Sequence, residues 1–223
     1  MIPLALAAGP VADRPAELLV VLAALAVVPA ALVMLTSFLK IVVVLSIARS
    51  ALGAPQVPPN TAVTGLALVL TALVMAPVGE RAVAAMRAAP AGHGVAGTLA
   101  QLERGSDPLR GFLLRFARAD DRAAFVDVAR RLRGPDAAPP AERDLAVLAP
   151  AFVVSELRRA FTIGFLVFVP FLVVDLVVSN VLLALGLTQL SPTSIALPFK
   201  LLLFVAVDGW KLLARALALS YAG

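Results

Sequence analysis

The chain has 223 residues, of which 61% are hydrophobic and only 15% are charged, and its mean hydropathy is +0.97. Soluble domains are nearer half apolar and a quarter charged, so this chain has too little polar surface to cover a water-soluble globule. We therefore expect it to be embedded in a membrane or buried in a large assembly. The net charge is +5, but the cations are spread among acids and form no basic, aromatic-rich face. This argues against nucleic-acid binding.

The residue types that build common active sites are scarce. The sequence contains no cysteine, which excludes disulfides, thiolate catalysis and Cys-based metal sites. His93 is the only histidine, so a His-based metal site or a His-centred triad is implausible within one chain. The sequence therefore predicts a protein that is not an enzyme and that has no cofactor and no metal site.

Residues 1–17 are interpreted as a short N-terminal lead-in. Residues 1–8 are apolar and rich in alanine, as in a signal peptide. They lack a basic start, however, and the apolar stretch breaks at Gly9 and Pro10. We therefore expect a lead-in and not a cleaved signal.

Four segments approach the roughly 20 apolar residues that a membrane-spanning helix needs. They are residues 18–39, 62–78, 161–185 and 197–218. The apolar character of the first continues past Lys40 to Ile47, and Pro29 lies inside it, so we expect a tilted or broken helix there. The sequence predicts an all-α fold of integral-membrane type, with helical hairpins over residues 18–78 and 161–223.

The central region, residues 79–160, mixes arginines with acids and is predicted to be a soluble helical domain. Apolar side chains at helical spacing predict an amphipathic helix pair over residues 108–133. These side chains are Phe112, Leu113, Phe116, Phe125, Val128 and Leu132. Residues 134–140 resemble a linker, and residues 145–159 resume a helix. We interpret nearly all of the charges as a solvated face.

The basic residues of the first turn predict an orientation in the membrane. The turn between the first two apolar segments contains Lys40 and Arg49 and no acid. The positive-inside rule places such a turn in the cytoplasm. The central region then lies on the periplasmic side, which its length permits because long loops cross largely regardless of charge.

Four ionisable residues lie inside the last two apolar segments. Asp208 and Lys211 are three residues apart, so they can meet directly on a helix. Asp175 and Lys200 are expected at different depths of a hairpin, so a pair within one chain is not forced and a pair between subunits is possible. A proton relay is one interpretation of these charges. Structural burial between packed helices is the interpretation that we favour.

Two blocks of the sequence, roughly residues 34–78 and 150–210, resemble one family. The first block contains Met34-Leu-Thr-Ser-Phe-Leu-Lys40, Pro58-Pro-Asn60 and Met75-Ala-Pro-Val78. The second contains Ser155-Glu-Leu-Arg-Arg159, Pro170-Phe171, Asp175-Leu176, Leu197-Pro-Phe-Lys200 and Val207-Asp-Gly-Trp210. In order, spacing and rare residue types they resemble the SctR/FliP (YscR) export-gate subunits of type III secretion systems and flagella.

This resemblance implies a mostly helical subunit of a homopentamer in the bacterial inner membrane, partly on its periplasmic side. Such a subunit forms with SctS-type and SctT-type proteins a closed channel for unfolded protein substrates. SctU-type switch proteins, SctV-type export proteins and membrane lipid are the further partners that the resemblance implies.

The resemblance also implies a channel constriction in the loop between the last two segments. The family has a methionine-rich loop at this place, followed by a proline. Here the matching residues are Leu187, Thr188, Gln189 and Leu190, which lack the methionines. Flexible thioether side chains suit a deformable seal, so their replacement changes how softly the ring closes.

The sequence leaves two other functions open. The first is an ion- or proton-coupled membrane transporter that uses Asp175 and Lys200, and the second is an anchor for the central helical region. For Glu156, Arg158 and Arg159, which precede the third apolar segment, pairing between subunits and a solvated helix end are equal interpretations. The candidate buried or inter-subunit charges are Lys40, Glu156, Arg158, Asp175, Lys200 and Asp208.

Overall fold

The computed structural model describes residues 26, 29–30, 33–54, 56–88, 94–134, 138 and 140–222. The predicted lead-in, most of the first apolar segment and His93 lie outside the described residues. Throughout the described part the secondary structure is helical, without a strand, which confirms the all-α prediction. From Phe38 onward the described residues form seven helices: α1 (Phe38–Ala51), α2 (Asn60–Ala88), α3 (Gly94–Phe116), α4 (Ala119–Arg133), α5 (Leu145–Ala184), α6 (Pro192–Ala206) and α7 (Gly209–Leu219).

Helix α1 is the centre of the larger core. The chain is helical at Val33 and Met34, leaves helical geometry at residues 35–37 and becomes helical again at Phe38. The predicted overlong first segment is therefore broken just before Lys40. Ile41, Val44, Leu45 and Ala48 are completely buried against α2, α5, α6 and α7. Apolar residues point in several directions around α1, so it can be enclosed on more than one side.

The predicted amphipathic pair is present as α3 and α4. A short turn at residues 117–118 separates them, and α3 begins well before the predicted start, at Gly94. Phe112, Leu113 and Phe116 of α3 pack into a second core cluster with α2 and α5. The apolar pattern predicted the buried side of α4 less well, because Leu132 is 83% exposed.

Helix α5 is 40 residues long and runs through residues 160 and 161, where the sequence suggested a boundary. The predicted helix over residues 145–159 and the third apolar segment are thus one continuous element. Pro150 and Pro170 lie inside it. Each proline removes one backbone donor, and the surrounding turns maintain the helix despite this loss.

A Schellman motif ends α5. The amide of Leu187 donates to the carbonyl of Leu182 at 2.9 Å, and the amide of Gly186 donates to that of Leu183 at 3.0 Å. Gly186 has φ +71°, a left-handed conformation that glycine adopts without a Cβ penalty. Helix α6 then begins at Pro192, whose fixed φ suits a first helical turn.

The fourth apolar segment is not the single span that the sequence predicted. It is divided between α6 and α7 at Val207 and Asp208, and Asp208 has φ +53°. A left-handed residue stops a right-handed helix, and aspartate is one of the few side chains that tolerate it. Gly209 follows directly beneath the Phe204 ring, where an added Cβ would lie 2.3 Å from Phe204 Cε2.

Within the described residues, α2 and α5 are long and apolar enough to cross a membrane. Only 28% of the most apolar window of α2 and 11% of that of α5 is buried inside the chain. Exposed Leu73, Phe165 and Leu202 continue this apolar surface over α2, α5 and α6. A single copy of the chain therefore leaves much of its apolar surface for lipid or other proteins to cover.

Candidate functional site

The first polar site is an ion pair enclosed in the core. Lys40 lies in the first turn of α1 and is 2% exposed, and Glu156 of α5 is completely buried. Lys40 Nζ lies 3.3 Å from Glu156 Oε2. Lys40 is therefore not a cation in a solvated turn, which removes it from the argument for a cytoplasmic turn. Position 40 lies on the side of α1 that faces the core, and this location accounts for the burial of the Lys40 side chain.

Two further donors complete the surroundings of Glu156. Arg159 Nη1 donates to Glu156 Oε1 at 2.7 Å and also to the backbone carbonyl of Phe116 at 2.7 Å. The hydroxyl of Tyr221 donates to Glu156 Oε2. A buried carboxylate needs such partners, because an uncompensated charge in the interior is very costly. The four side chains join α1 and α5 to the C-terminal end, and Arg159 links them to the end of α3.

Tyr221 sits among aromatic rings. Lys40 Nζ lies 3.6 Å from the centroid of its ring, an attractive cation–π geometry. The ring of Phe116 contacts it edge-on at 4.9 Å, and that of Phe112 stacks at 5.8 Å. Burial, and then the Glu156 charge, raise the pKa of Tyr221 above its ordinary value. The phenol therefore stays protonated and acts as the donor to Glu156.

A second polar contact holds the turn between α3 and α4 against α5. Ser155 Oγ accepts from the amide of Arg118 at 2.9 Å and donates to Asp121 Oδ2 at 2.6 Å. Asp121 is 7% exposed, and Arg158 Nη2 lies 3.8 Å from its Oδ1. Arg158 itself is 55% exposed, so the structure places it at the surface and not among the buried charges.

Sequence reasoning missed Asp121, Ser155 and Tyr221 as members of these contacts. It considered Arg159 for pairing between subunits, whereas the structure pairs Arg159 with Glu156 of the same chain. The sequence contains one signal for Ser155, because Ser155 and Glu156 are adjacent polar residues in a mostly apolar helix. Tyr221, the only tyrosine, gave no such signal because it follows the last apolar segment. Its role depends on tertiary contacts.

The second ion pair joins α5 to α6. Lys200 Nζ lies 2.6 Å from Asp175 Oδ2 and donates to the carbonyl of Ala51 at 3.4 Å. The expectation that Asp175 and Lys200 lie at different depths was wrong, because it took residue 197 as the start of the last apolar helix. Helix α6 begins at Pro192, so Lys200 and Asp175 lie at similar distances from the turn. This pair also contacts the end of α1 and so connects the two sequence blocks.

The two remaining charges form an exposed pair, as their spacing predicted. Lys211 Nζ lies 3.2 Å from Asp208 Oδ2, with side chains 78% and 66% exposed. Asp208 is therefore not a buried charge. No three His, Asp or Glu side chains within the described ranges converge to hold a metal ion.

The loop with Leu187, Thr188, Gln189 and Leu190 lies at one end of the α5–α6 hairpin, and all four residues are exposed. The Schellman end of α5 and the proline start of α6 fix both sides of the loop. The loop consequently projects two leucines and two polar side chains away from the cores of this chain.

Comparison with known proteins identifies the family to which this chain is similar. The model of the FliP family matches residues 21–217. The flagellar biosynthetic protein FliP of Pectobacterium carotovorum subsp. carotovorum is 48% identical over 207 residues, 92% of this chain and 78% of that protein. The hypersensitivity response secretion protein HrcR of Ralstonia nicotianae is 44% identical, over 92% of this chain and 97% of that protein. The Yop proteins translocation protein R of Yersinia pestis is 46% identical, over 93% and 96%. The chain belongs to the FliP family.

Proposed function

We propose that this protein is a core subunit of a type III secretion export gate. It forms, with SctS-type and SctT-type proteins, the inner-membrane channel through which unfolded proteins are exported. The observation that carries the proposal is the family match across residues 21–217, with relatives named for secretion and translocation. Its role is a passive one, because the driving force acts elsewhere in the machine.

The distribution of apolar surface supports an assembled state. Leu68, Val69 and Leu73 on α2 are 54 to 67% exposed, and Phe161, Phe165 and Leu166 on α5 are 61 to 67% exposed. Large exposed apolar patches normally mark interfaces with proteins or membranes. We infer that neighbouring subunits of a homopentamer, the smaller gate proteins and lipid cover these faces. SctU-type and SctV-type proteins are further partners in the proposed machine.

Co-purification tests the assembly. A tagged chain is co-expressed with its SctS-type and SctT-type partners, extracted in mild detergent, and its mass and composition are measured by native mass spectrometry. We expect five copies of this chain with both partners bound. A chain that remains a monomer and never carries either partner would contradict the proposal.

Two exposed leucines provide a matched pair of variants. Leu202 on α6 is 68% exposed on the apolar face, and Leu132 on α4 is 83% exposed in the charged central region. We expect Leu202→Glu to abolish assembly while the single chain still folds. Leu132→Glu introduces the same charge and should leave the assembled mass unchanged.

The α5–α6 loop is the proposed constriction of the channel. Leu187 and Leu190 supply its apolar bulk, so replacing both by glycine should make the closed complex leak small ions. Ion flux into vesicles that contain the assembled complex measures the leak. Replacing both by methionine retains apolar bulk and is the control. A closed, non-leaking glycine variant would remove these residues from the seal.

The alternative of an ion- or proton-coupled transporter has less support. Lys200 donates to Asp175 and to the carbonyl of Ala51, so the pair acts as a bridge among α1, α5 and α6. Gradient-driven uptake of a small solute by this chain alone, lost in Asp175→Asn, would favour that alternative over the export gate.

A further inference from the structure

A cavity of about 510 Å³ opens beside the enclosed Lys40–Glu156 pair. It lies where the end of α3, the start of α4 and the middle of α5 meet the C-terminal end. Nine residues line it: Lys40, Arg115, Phe116, Arg118, Arg158, Arg159, Thr162, Ile163 and Ser220. Five of these nine are cationic and none is acidic, in a chain of which only 15% of residues are charged.

The carboxylates around the cavity do not balance these cations. Glu156 faces Lys40 and Arg159, whereas Asp120 and Asp121 lie 3.4 and 3.8 Å from Arg118 and Arg158. Arg115 has no ion-pair partner among the described residues, and its guanidinium lies 5.4 Å from the centroid of the Phe116 ring. Five cations against three carboxylates leave an excess of two positive charges for an anion to neutralise.

Several donors in the cavity remain available. Arg159 uses Nη1 for its internal contacts, which leaves its other nitrogens. Arg158 and Arg118 make only long contacts with their acids, at 3.8 and 3.4 Å. Guanidinium groups bind phosphate oxygens through paired hydrogen bonds, so several arginines that line one cavity suit a phosphate-type oxyanion. The hydroxyls of Thr162 and Ser220 already donate to backbone carbonyls.

The cationic cavity continues directly into an apolar track on α5. Arg158 and Thr162 lie one turn apart on one face of the helix, and the next turn of that face contains Phe165 and Leu166. Phe165 and Leu166 are 67% and 64% exposed in the single chain. One side of α5 therefore changes from arginine to exposed hydrocarbon within about 10 Å.

We propose that this cavity binds the phosphate of an anionic phospholipid, with the acyl chain along Phe165 and Leu166. Charge complementarity selects an anionic headgroup, and the adjoining track selects a lipid over a free phosphate ion. The site is independent of the export role, because it is formed by one copy of the chain. A failure of co-purification with the gate partners would not affect it.

Lipid binding to the detergent-purified chain tests the proposal. Phosphatidylglycerol, phosphatidylcholine and inorganic phosphate are titrated separately, and bound species are counted by native mass spectrometry. We expect phosphatidylglycerol to bind, phosphatidylcholine to bind at least tenfold more weakly, and millimolar phosphate to compete poorly. Arg115→Gln with Arg118→Gln should weaken phosphatidylglycerol binding roughly tenfold.

The control variant removes two exposed arginines elsewhere, Arg104→Gln with Arg130→Gln, and should retain wild-type binding within twofold. Equal loss in both variants would mean a general charge effect and would overturn the site. Phosphate that displaces the lipid at similar concentration would overturn the lipid assignment in favour of a free anion. A wild-type chain that binds no anionic lipid, while Arg115→Gln with Arg118→Gln disrupts the oligomer, would assign the cavity to an acidic group of a neighbouring subunit instead.

Discussion

The two buried ion pairs differ in how completely the chain surrounds them. Glu156 is fully enclosed, and Lys40, Arg159 and Tyr221 satisfy both of its oxygens. Lys200 is 4% exposed, but its partner Asp175 is 35% exposed. The Oδ1 atom of Asp175 is itself buried and has no hydrogen-bond partner among the described residues.

This difference teaches that charges in an apolar chain have distinct roles. The Lys40–Glu156 group is complete in one copy, so it belongs to folding and fixes α1, α5 and the C-terminal end against each other. In the Lys200–Asp175 pair the ammonium is enclosed against α1, whereas the carboxylate is partly exposed and one copy of the chain leaves its buried Oδ1 without a donor. The following substitutions test that distinction, beginning with the largest expected effect.

Glu156→Ala should be the most destabilising of these changes. It leaves the ammonium of Lys40 and the guanidinium of Arg159 without their buried partner, and breaking a buried pair in this way costs about 3–5 kcal/mol. Thermal unfolding in detergent, followed by the fluorescence of the single Trp210, measures the loss. Glu103→Ala removes an exposed carboxylate from α3 and is the control, with an expected change under about 0.5 kcal/mol. Similar stabilities for the two variants would contradict an enclosed ion pair.

The Lys200–Asp175 pair should lose different amounts of stability when one or the other of its members is replaced. Asp175→Ala leaves the buried ammonium of Lys200 with only the Ala51 carbonyl, which we expect to cost about 2–3 kcal/mol. Lys200→Met retains the packing and leaves the partly exposed carboxylate of Asp175 without its cation, at a cost of about 1 kcal/mol. Unfolding of the two variants in the same detergent compares them. The opposite order would mean that Asp175 is the more enclosed partner.

The close approach of α1 and α5 gives the next effect. A Cβ on Gly164 would lie 2.4 Å from Ile47 Cδ1 and 3.0 Å from its Cγ2, so Gly164→Ala should cost about 1–3 kcal/mol. Ile47→Ala removes both methyl-bearing branches and keeps only the Cβ contact at 3.2 Å, so it should relieve most of the clash, and a double-mutant cycle measures the coupling. Gly65→Ala, which meets nothing within 4 Å, should be neutral or slightly stabilising. Additive effects at Gly164 and Ile47 would show that the helices move apart instead.

Sequence patterns predicted the helical content well and the joints between helices poorly. The apolar runs and the spacing of Phe112 and Phe116 reflect local periodicity, which a sequence displays directly. Whether a proline ends a helix depends on its surroundings, and α5 continues through Pro150 and Pro170. The division at Asp208 depends on one left-handed residue, which hydropathy does not detect.

The candidate site shows the same contrast between local patterns, which a sequence displays, and tertiary contacts, which it does not. Lys40 and Glu156 are candidates in the sequence because they lie next to predicted apolar segments, but their partnership spans more than a hundred residues of sequence. Hydropathy predicts different depths for Asp175 and Lys200, because the apolar segment starts at residue 197 whereas α6 begins five residues earlier, at Pro192. Tyr221 could not be assigned, because only the packing of the C-terminal end against α3 gives it a partner.

The smallest effects should come from the exposed pair at the joint of α6 and α7. Exposed ion pairs contribute little, so Lys211→Gln should change the stability by less than about 0.5 kcal/mol. Asp208→Ala removes the same pair but also places alanine at φ +53°, which should cost about 1 kcal/mol. Asp208→Gly removes the pair without that strain and is the matched control, measured by the same unfolding curves. If Asp208→Gly is as stable as Lys211→Gln while Asp208→Ala is not, the backbone conformation of Asp208 is its contribution. Equal losses for all three would instead assign the stability to the ion pair.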